Sequence, residues 1–159
     1  MASGRTAEAE PLLKRAVTIQ EAALGPEHPG TAAGLDNLAT LYRTQERYAE
    51  AEPVLKRVLT ILGKSGGLEH PQIASVLDHL GALYEAQGKY AEAEPLLKRS
   101  LAIQEKFRGP KAPELAASLD TYAALLGKMH RKDEAAEMEA RAKAIRTEQS
   151  NASLLKGDK

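Results

Sequence analysis

Residues 7–15 read AEAEPLLKR, residues 49–57 read AEAEPVLKR, and residues 91–99 read AEAEPLLKR again. The copies stand 42 residues apart, and a second series, Pro29, Pro71 and Pro113, keeps the same interval. Residues 4–20 agree with residues 88–104 at 12 of 17 positions, which excludes coincidence. A fixed period of about 20–50 residues marks a stack of supersecondary units, each burying its apolar face against its neighbours. In such arrays function lies in the surface the stack presents. A binding scaffold is therefore expected, and its partner is not written in the repeat.

Working outward from AEAEP, each unit holds two apolar patterns of helical period. One is LDNLATLY at 35–42, repeated as LDHLGALY at 77–84 and LDTYAALL at 119–126. Its apolar residues recur at i, i+3, i+6 and i+7, which is one side of a helix. Ala39, Gly81 and Ala123 leave room there for a neighbouring helix. The other pattern is YAEAEPVLKRVLTI at 48–61, with Ala51, Leu55, Val58 and Leu59 as its buried stripe. Its AEAE runs place acidic residues in a helix's first turns, where the dipole favours them. Gly25, Gly67 and Gly109 follow this second helix, where a residue tolerant of positive φ ends a helix cheaply. Pro29, Pro71 and Pro113 should then open the first helix of the next pair, a position where a missing N–H costs nothing. Pro53 and Pro95 sit inside the second pattern, so a helix that starts at the preceding Tyr and bends at the Pro is expected, with a helix starting only near the Pro as the competing possibility. Gly63, Gly66 and Gly67 should end the middle second-type helix early. The last copy, KDEAAEMEARAKAI at 132–145, trades leucines for charge, as a terminal helix facing water should. The fold class is all-α, with about seven helices: an unpaired second-type helix at about Thr6–Leu24, then three pairs. The domain boundaries are a half repeat at 4–28, repeats at 29–70, 71–112 and 113–146, and a frayed polar tail at 147–159. Gly4 aligns with Gly88, so the repeat is entered midway and the chain reads as part of a longer array.

Composition narrows the partner. Twenty-two basic and 22 acidic residues give a net charge of zero, which removes the electrostatic case for nucleic acid or an anionic membrane. Aromatics are 4% with no Trp, too few for base-stacking platforms. No cysteine is present, so disulfides and thiolate metal sites are excluded, and a cytoplasmic location is expected. No Gly-rich phosphate loop or nucleophile elbow occurs, and no cofactor or enzymatic activity is expected.

With these residues in hand, the chain resembles the tetratricopeptide repeat, in the 42-residue variety of kinesin light chains. The shared signature is HPxxAxxLxxLAxLYxxQxxYAEAEPLLKRxLxIxE, found from His28 to about Leu62 and from His70 to Glu105. Leu35, Leu77 and Leu119 stand where the family commonly has Trp, which is ordinary for this variety. The resemblance implies a right-handed superhelical solenoid of antiparallel helix pairs, its concave wall lined by the first helix of each pair. It also implies that this wall meets peptide segments.

On that wall the candidate contact residues are Asp36, Asn37, Thr40, Arg43 and Thr44 in the first pair. Asp78, His79, Ala82 and Glu85 follow in the second, and Asp120, Thr121, Ala124 and Lys128 in the third. Spacings of three to four residues place them on one helix face. The resemblance assigns Asn37 to a ligand's backbone. It does not extend to the family's clamp for a C-terminal carboxylate, which only Asn37 and Lys128 match and which a column of Asp36, Asp78 and Asp120 would oppose. That column instead suggests a peptide carrying Lys or Arg. His28 and His70, both in EHP, lack a third histidine at Ala112 and are expected at a helix N-terminus or in the loop, not on a metal. The LKR triplets are expected to form a solvated or salt-bridged face, not a phosphate site, and Tyr42 and Tyr84 to lie in the core. Leu12, Leu13, Ala16, Val17 and Ile19 cannot all be covered by the pair that follows, and a homodimer through this N-terminal helix is expected. The alternatives to a peptide receptor are a structural or self-assembling repeat module, or a regulatory repeat domain of a larger signalling protein.

Overall fold

The computed structural model describes residues 3–67 and 69–157. Seven helices follow one another: α1 (Ser3–Leu24), α2 (Pro29–Thr44), α3 (Tyr48–Gly66), α4 (Pro71–Ala86), α5 (Tyr90–Arg108), α6 (Leu115–Lys128) and α7 (Lys132–Gly157). Among the described residues there is no strand. The pairs are α2/α3, α4/α5 and α6/α7, and α1, α3 and α5 each pack on the first helix of the pair that follows. The first helices touch one another, α2 on α4 and α4 on α6, whereas α3 and α5 do not. First helices therefore form the inner wall of a curved stack, and second helices the outer one.

The caps explain where the helices begin and end. His28 and His70 are N-caps whose Nδ1 accepts from the backbone N–H of Gly30 at 3.0 Å and of Gln72 at 3.3 Å. Each satisfies one of the orphan donors of a first turn, and Pro29 and Pro71 follow as the first helical residues. The third copy differs from expectation, because α6 begins at Leu115 and not at Pro113. Ala112 has no side-chain acceptor, and the chain instead closes with short i→i+3 bonds, Leu115 N–H to Ala112 and Ala116 N–H to Pro113. Gly25, Gly67 and Gly109 have φ of 101°, 78° and 86°.

The first helices end alike. Arg47, Lys89 and Arg131 donate their backbone N–H to Tyr42, Tyr84 and Leu126, while Glu46, Gly88 and His130 donate to Arg43, Glu85 and Gly127. This is the paired 6→1 and 5→2 pattern of a Schellman cap. Its left-handed residue is glycine in one copy only.

Pro53 and Pro95 lie within helices that start at Tyr48 and Tyr90. Both prolines are exposed, as are Ala49 and Ala91, whose carbonyls lose the bond. Water can satisfy those carbonyls, so the helix tolerates the proline. The early stop expected of α3 does not occur. It is as long as α5 and ends at the aligned residue, because Ile61 and Leu62 are buried in the core and hold the last turns despite Gly63 and Gly66. The polar tail expected from residue 147 is helical as far as Gly157. That stretch has no proline, and Lys111 on the loop before α6 pairs with Glu148 at 2.8 Å. Helix α1 likewise begins at Ser3, earlier than expected.

Two apolar clusters meet at Tyr84, which packs on both. The close approach foreseen for the small residues is realised at Gly81. A Cβ there would lie 2.5 Å from Cδ2 of Leu97, which is fully buried.

Candidate peptide-binding groove

The inner wall of α2, α4 and α6 carries two hollows. The larger encloses about 320 Å³, lined among others by Arg43, Asp78, His79, Gln104, Ser118 and Thr121. The smaller, about 190 Å³, lies between α2 and α4 and includes Asp36, Ser75 and Val76. The structure thus gathers Arg43, Asp78, His79, Ala82 and Thr121 around one cavity. Asn37, Thr40, Thr44, Glu85, Asp120, Ala124 and Lys128 lie outside both.

The aspartate column is not a row of free carboxylates. Asp36 Oδ1 meets His79 Nδ1 at 3.0 Å, joining α2 to α4. Asp78 Oδ2 accepts from Gln104 Nε2 at 3.0 Å and from the Ser118 hydroxyl, joining α4 to α5 and α6. Asp120 pairs with Arg146 of α7. Each aspartate therefore ties its helix to an element further along the stack. Burial pushes the Asp78 carboxyl above its ordinary value, against the opposing hydrogen bonds from Ser118, Ser100 and Gln104. Its Oδ1 and Gln104 Oε1 are buried without protein partners.

Elsewhere on the wall Lys128 holds Glu85 at 2.6 Å, and Arg108 pairs with Glu114. Thr44 and Thr121 return their hydroxyls to Leu41 and Ala117 backbone carbonyls. Arg43 has no ion-pair partner among the described residues, and its Nε is buried without an acceptor. Asn37 is exposed and Thr40 half-buried. The groove therefore offers reachable carboxylates at Asp36 and Asp120, one unpaired guanidinium, and a polar cavity between.

The sequence reading did not foresee the Ser100–Gln104–Ser118 cluster. Ser100 donates to the Ala74 carbonyl at 2.8 Å, and Gln104 Nε2 lies 2.9 Å from Ser100 Oγ and 2.7 Å from Ser118 Oγ. The signal was there: Ser100 and Ser118 replace Val58 and Val76 of the preceding copy, and Gln104 replaces Leu62. Polar residues at apolar repeat positions announce a buried polar partner, here Asp78.

The remaining site expectations divide. His28 and His70 cap helices, and no cluster of three metal-ligating side chains occurs among the described residues. Lys14, Lys56 and Lys98 of the LKR triplets each reach the Glu four residues before them at 2.6–2.7 Å. Tyr42 is buried and Tyr84 half-buried. In α1, Leu12, Ala16 and Ile19 are exposed, whereas Val17 is buried and Leu13 half-buried. The last two belong to the core against α2 and not to the strip expected to seek a partner.

The family model of the tetratricopeptide repeat matches residues 1–64 and 66–148. Among solved structures, a kinesin light chain-like protein of Podosopora anserina, with nearly identical TPR-like repeats, is similar at 32% identity. That match has a TM-score of 0.71 and covers 93% of this chain and 70% of the other. BtubC (BKLC) from P. vanneervenii shares the fold at 24% identity and a TM-score of 0.83, covering 92% of this chain and 59% of its own. MamA MSR-1 shares it at 19% identity and a TM-score of 0.61, covering 93% and 71%. No curated protein matches the chain.

Proposed function

Because the chain belongs to the tetratricopeptide repeat family, whose repeats generally mediate protein–protein interaction, we propose that its inner wall holds an extended or helical segment of a protein partner. The observation that carries this reading is the cavity of about 320 Å³ between α4 and α6, rimmed by side chains of all three first helices or the loops beside them. Shape and a few convergent polar groups are what a peptide site needs.

The segment we propose carries Lys or Arg. Asp36 and Asp120, each held by a single side chain across the groove, are the carboxylates it would compete for, whereas Asp78 is held by both Gln104 and Ser118. The Asp120–Arg146 pair is exposed on both sides, and an exposed pair is worth only about 0–1 kcal/mol, so a ligand cation can take its place. Arg43 suits an acidic residue or a backbone carbonyl of the same segment. Nothing in this reading calls for catalysis; the protein acts as a scaffold.

A peptide array screened against the protein tests it, with nuclear magnetic resonance locating the contacts. Binders enriched in Lys and Arg, shifting residues of α2, α4 and α6 and weakened by salt, are the expected result. Uniformly acidic binders, or affinity indifferent to Asp36→Asn with Asp120→Asn, would contradict it.

A further inference from the structure

The two hollows of the inner wall are one feature of the repeat seen twice. Every residue that lines the smaller hollow, except Val58, has its counterpart 42 positions on in the lining of the larger. The positions agree and the chemistry does not. Leu62 and Val76 line the smaller hollow, where Gln104 and Ser118 line the larger. Val58, also in the smaller lining, corresponds to Ser100, which bonds Gln104. One pocket between consecutive first helices is therefore floored with hydrocarbon, and the next with polar groups.

The polar pocket keeps open hydrogen-bonding capacity. Three side chains of its lining hold a buried atom that meets no protein partner: Asp78 Oδ1, Gln104 Oε1 and Arg43 Nε. Gln104 is only 8% exposed, and its Nε2 faces Asp78, Ser100 and Ser118, so the amide cannot turn to cover its own oxygen without losing them. The charges of the lining balance. Arg108 pairs with Glu114 and His79 with Asp36, which leaves one carboxylate, Asp78, and one guanidinium, Arg43. The open groups are thus two acceptors and one donor. A primary carboxamide is their complement, with two N–H donors and one carbonyl on a single plane. An ammonium has no acceptor for Arg43 and adds positive charge beside it, and a carboxylate has no donor for either oxygen.

We propose that the wall reads two side chains of one extended segment of the partner. An Asn or Gln carboxamide enters the pocket between α4 and α6, and an aliphatic side chain enters the pocket between α2 and α4. This rests on the groove reading above and gives it a motif. Consecutive first helices touch, and packed helix axes stand about 8–10 Å apart, which sets the distance between the pockets. A polyproline-II segment returns a side chain to the same side every third residue, about 9 Å on. The motif is therefore an aliphatic residue and a carboxamide three positions apart. The hydrocarbon floor rejects the carboxamide, whose polar atoms would be buried without partners. The polar floor rejects the aliphatic side chain, which leaves the open oxygens unpaired. Cations that compete for Asp36 and Asp120 come from other positions of the segment.

Fluorescence anisotropy with labelled peptides on one Ser/Lys background tests it, with nuclear magnetic resonance locating the contacts. The peptides carry Leu and Gln three positions apart in either order, or two or four apart, and a further set has Lys, Glu or Leu in place of Gln. One order at spacing three should bind at least about tenfold tighter than the other spacings and than each replacement. Ala33 and Ala117 are exposed in the linings of the apolar and the polar pocket, so each pocket can be plugged from its mouth. Ala33→Leu should erase the advantage of the peptide's Leu alone, and Ala117→Leu that of its Gln alone. Asp78→Asn with Gln104→Leu should make Leu preferred over Gln in the polar pocket, and Arg43→Met should make Lys preferred there. Circular dichroism checks that each variant keeps its helices. Peptides that shift α2, α4 and α6 but bind regardless of spacing, or as tightly with Lys or Leu as with Gln, overturn the inference and leave the groove reading standing. No shift in those helices with any peptide overturns both.

Discussion

Tyr42 of α2 donates its hydroxyl to Glu10 of α1 at 3.3 Å, and this bond is repeated along the stack as Tyr84 to Glu52 at 2.9 Å and Tyr122 to Glu94 at 3.2 Å. The second Glu of each AEAEP motif is thus the acceptor that ties a second-type helix to the first helix of the next pair. In the last pair the aligned position is Leu126, and the tyrosine stands one turn earlier, yet the hydroxyl reaches the same carboxylate. The same glutamates also take a cation from the Schellman turn: Arg47 for Glu10, Lys89 at 3.9 Å for Glu52, and Arg131 at 2.6 Å for Glu94.

These staples make the stack sensitive to acid. The Arg47 guanidinium, and then Lys14, hold Glu10 down from the usual 4.5 to about 2; Lys98, and then Arg131, hold Glu94 at about 2 as well. A carboxyl whose folded value is depressed contributes stability that is present above its unfolded value and is lost as pH falls through the folded one. The melting temperature should therefore decline from about pH 4.5 toward about pH 2. Glu10→Gln with Glu94→Gln should flatten that decline; an unchanged slope would remove these residues from the account.

Gly81 and Leu97 give a packing prediction. Leu97→Ala should cost about 2–5 kcal/mol, the range for emptying a fully buried leucine site. Gly81→Ala gains about 1 kcal/mol of helix propensity but forces a Cβ against Leu97, and overpacking costs about 1–3 kcal/mol. A net loss is expected. Combined with Leu97→Val the loss should be smaller than the sum of the two, because the shorter side chain makes room. Urea denaturation of the single and double variants measures it; strict additivity would mean the two residues do not share the space.

The architecture could be read from the repeat because its determinants are local and periodic: the Tyr that opens α3 and α5, the glycine after them, the apolar stripe at i, i+3 and i+7. What escaped were pairings across 26–43 residues. AEAEP looked like acidic residues placed for the helix dipole, and only the stacked geometry brings Tyr42 and Arg47 onto Glu10. The Asp column looked free for ligand because its partners, His79, Gln104, Ser118 and Arg146, lie on other helices. Glycines 63 and 66 suggested an early stop to α3, but burial of Ile61 and Leu62 outweighs about 1 kcal/mol of propensity per glycine.

The Schellman turns supply a stabilising change. Glu46 and His130 hold φ of 59° and 61°, and the aligned Gly88 has φ of 74°. A left-handed conformation costs a residue with a Cβ about 1–2 kcal/mol, which glycine avoids. Part of the gain returns as the larger unfolded-state entropy of glycine. Glu46→Gly and His130→Gly should each stabilise the protein by up to about 1 kcal/mol. The cap itself is carried by backbone groups, which glycine keeps. Thermal melts at fixed pH check it, and a loss of stability at both sites would contradict the cap assignment.

Asp78 should respond to pH in the direction opposite to Glu10. Burial raises its carboxyl above the ordinary 3.8, so its charged form is the costly one in the folded state. A carboxyl with a raised folded value favours the fold at low pH and withdraws that contribution as pH rises through the folded value. Asp78→Asn keeps the shape, removes the charge and retains an oxygen to accept from Gln104 and Ser118. The variant should therefore be at least as stable as the parent at neutral pH, and its advantage should vanish in acid. Gln104→Leu, which restores the residue of the preceding copy but takes a donor from Asp78, should cost about 1–3 kcal/mol at neutral pH. That cost should fall below about 1 kcal/mol when the same change is made in the Asp78→Asn background. Denaturation of the four proteins at neutral and acidic pH closes the cycle. An Asp78→Asn variant less stable than the parent at neutral pH would show that the carboxylate, buried as it is, holds α4 to α6 by its charge.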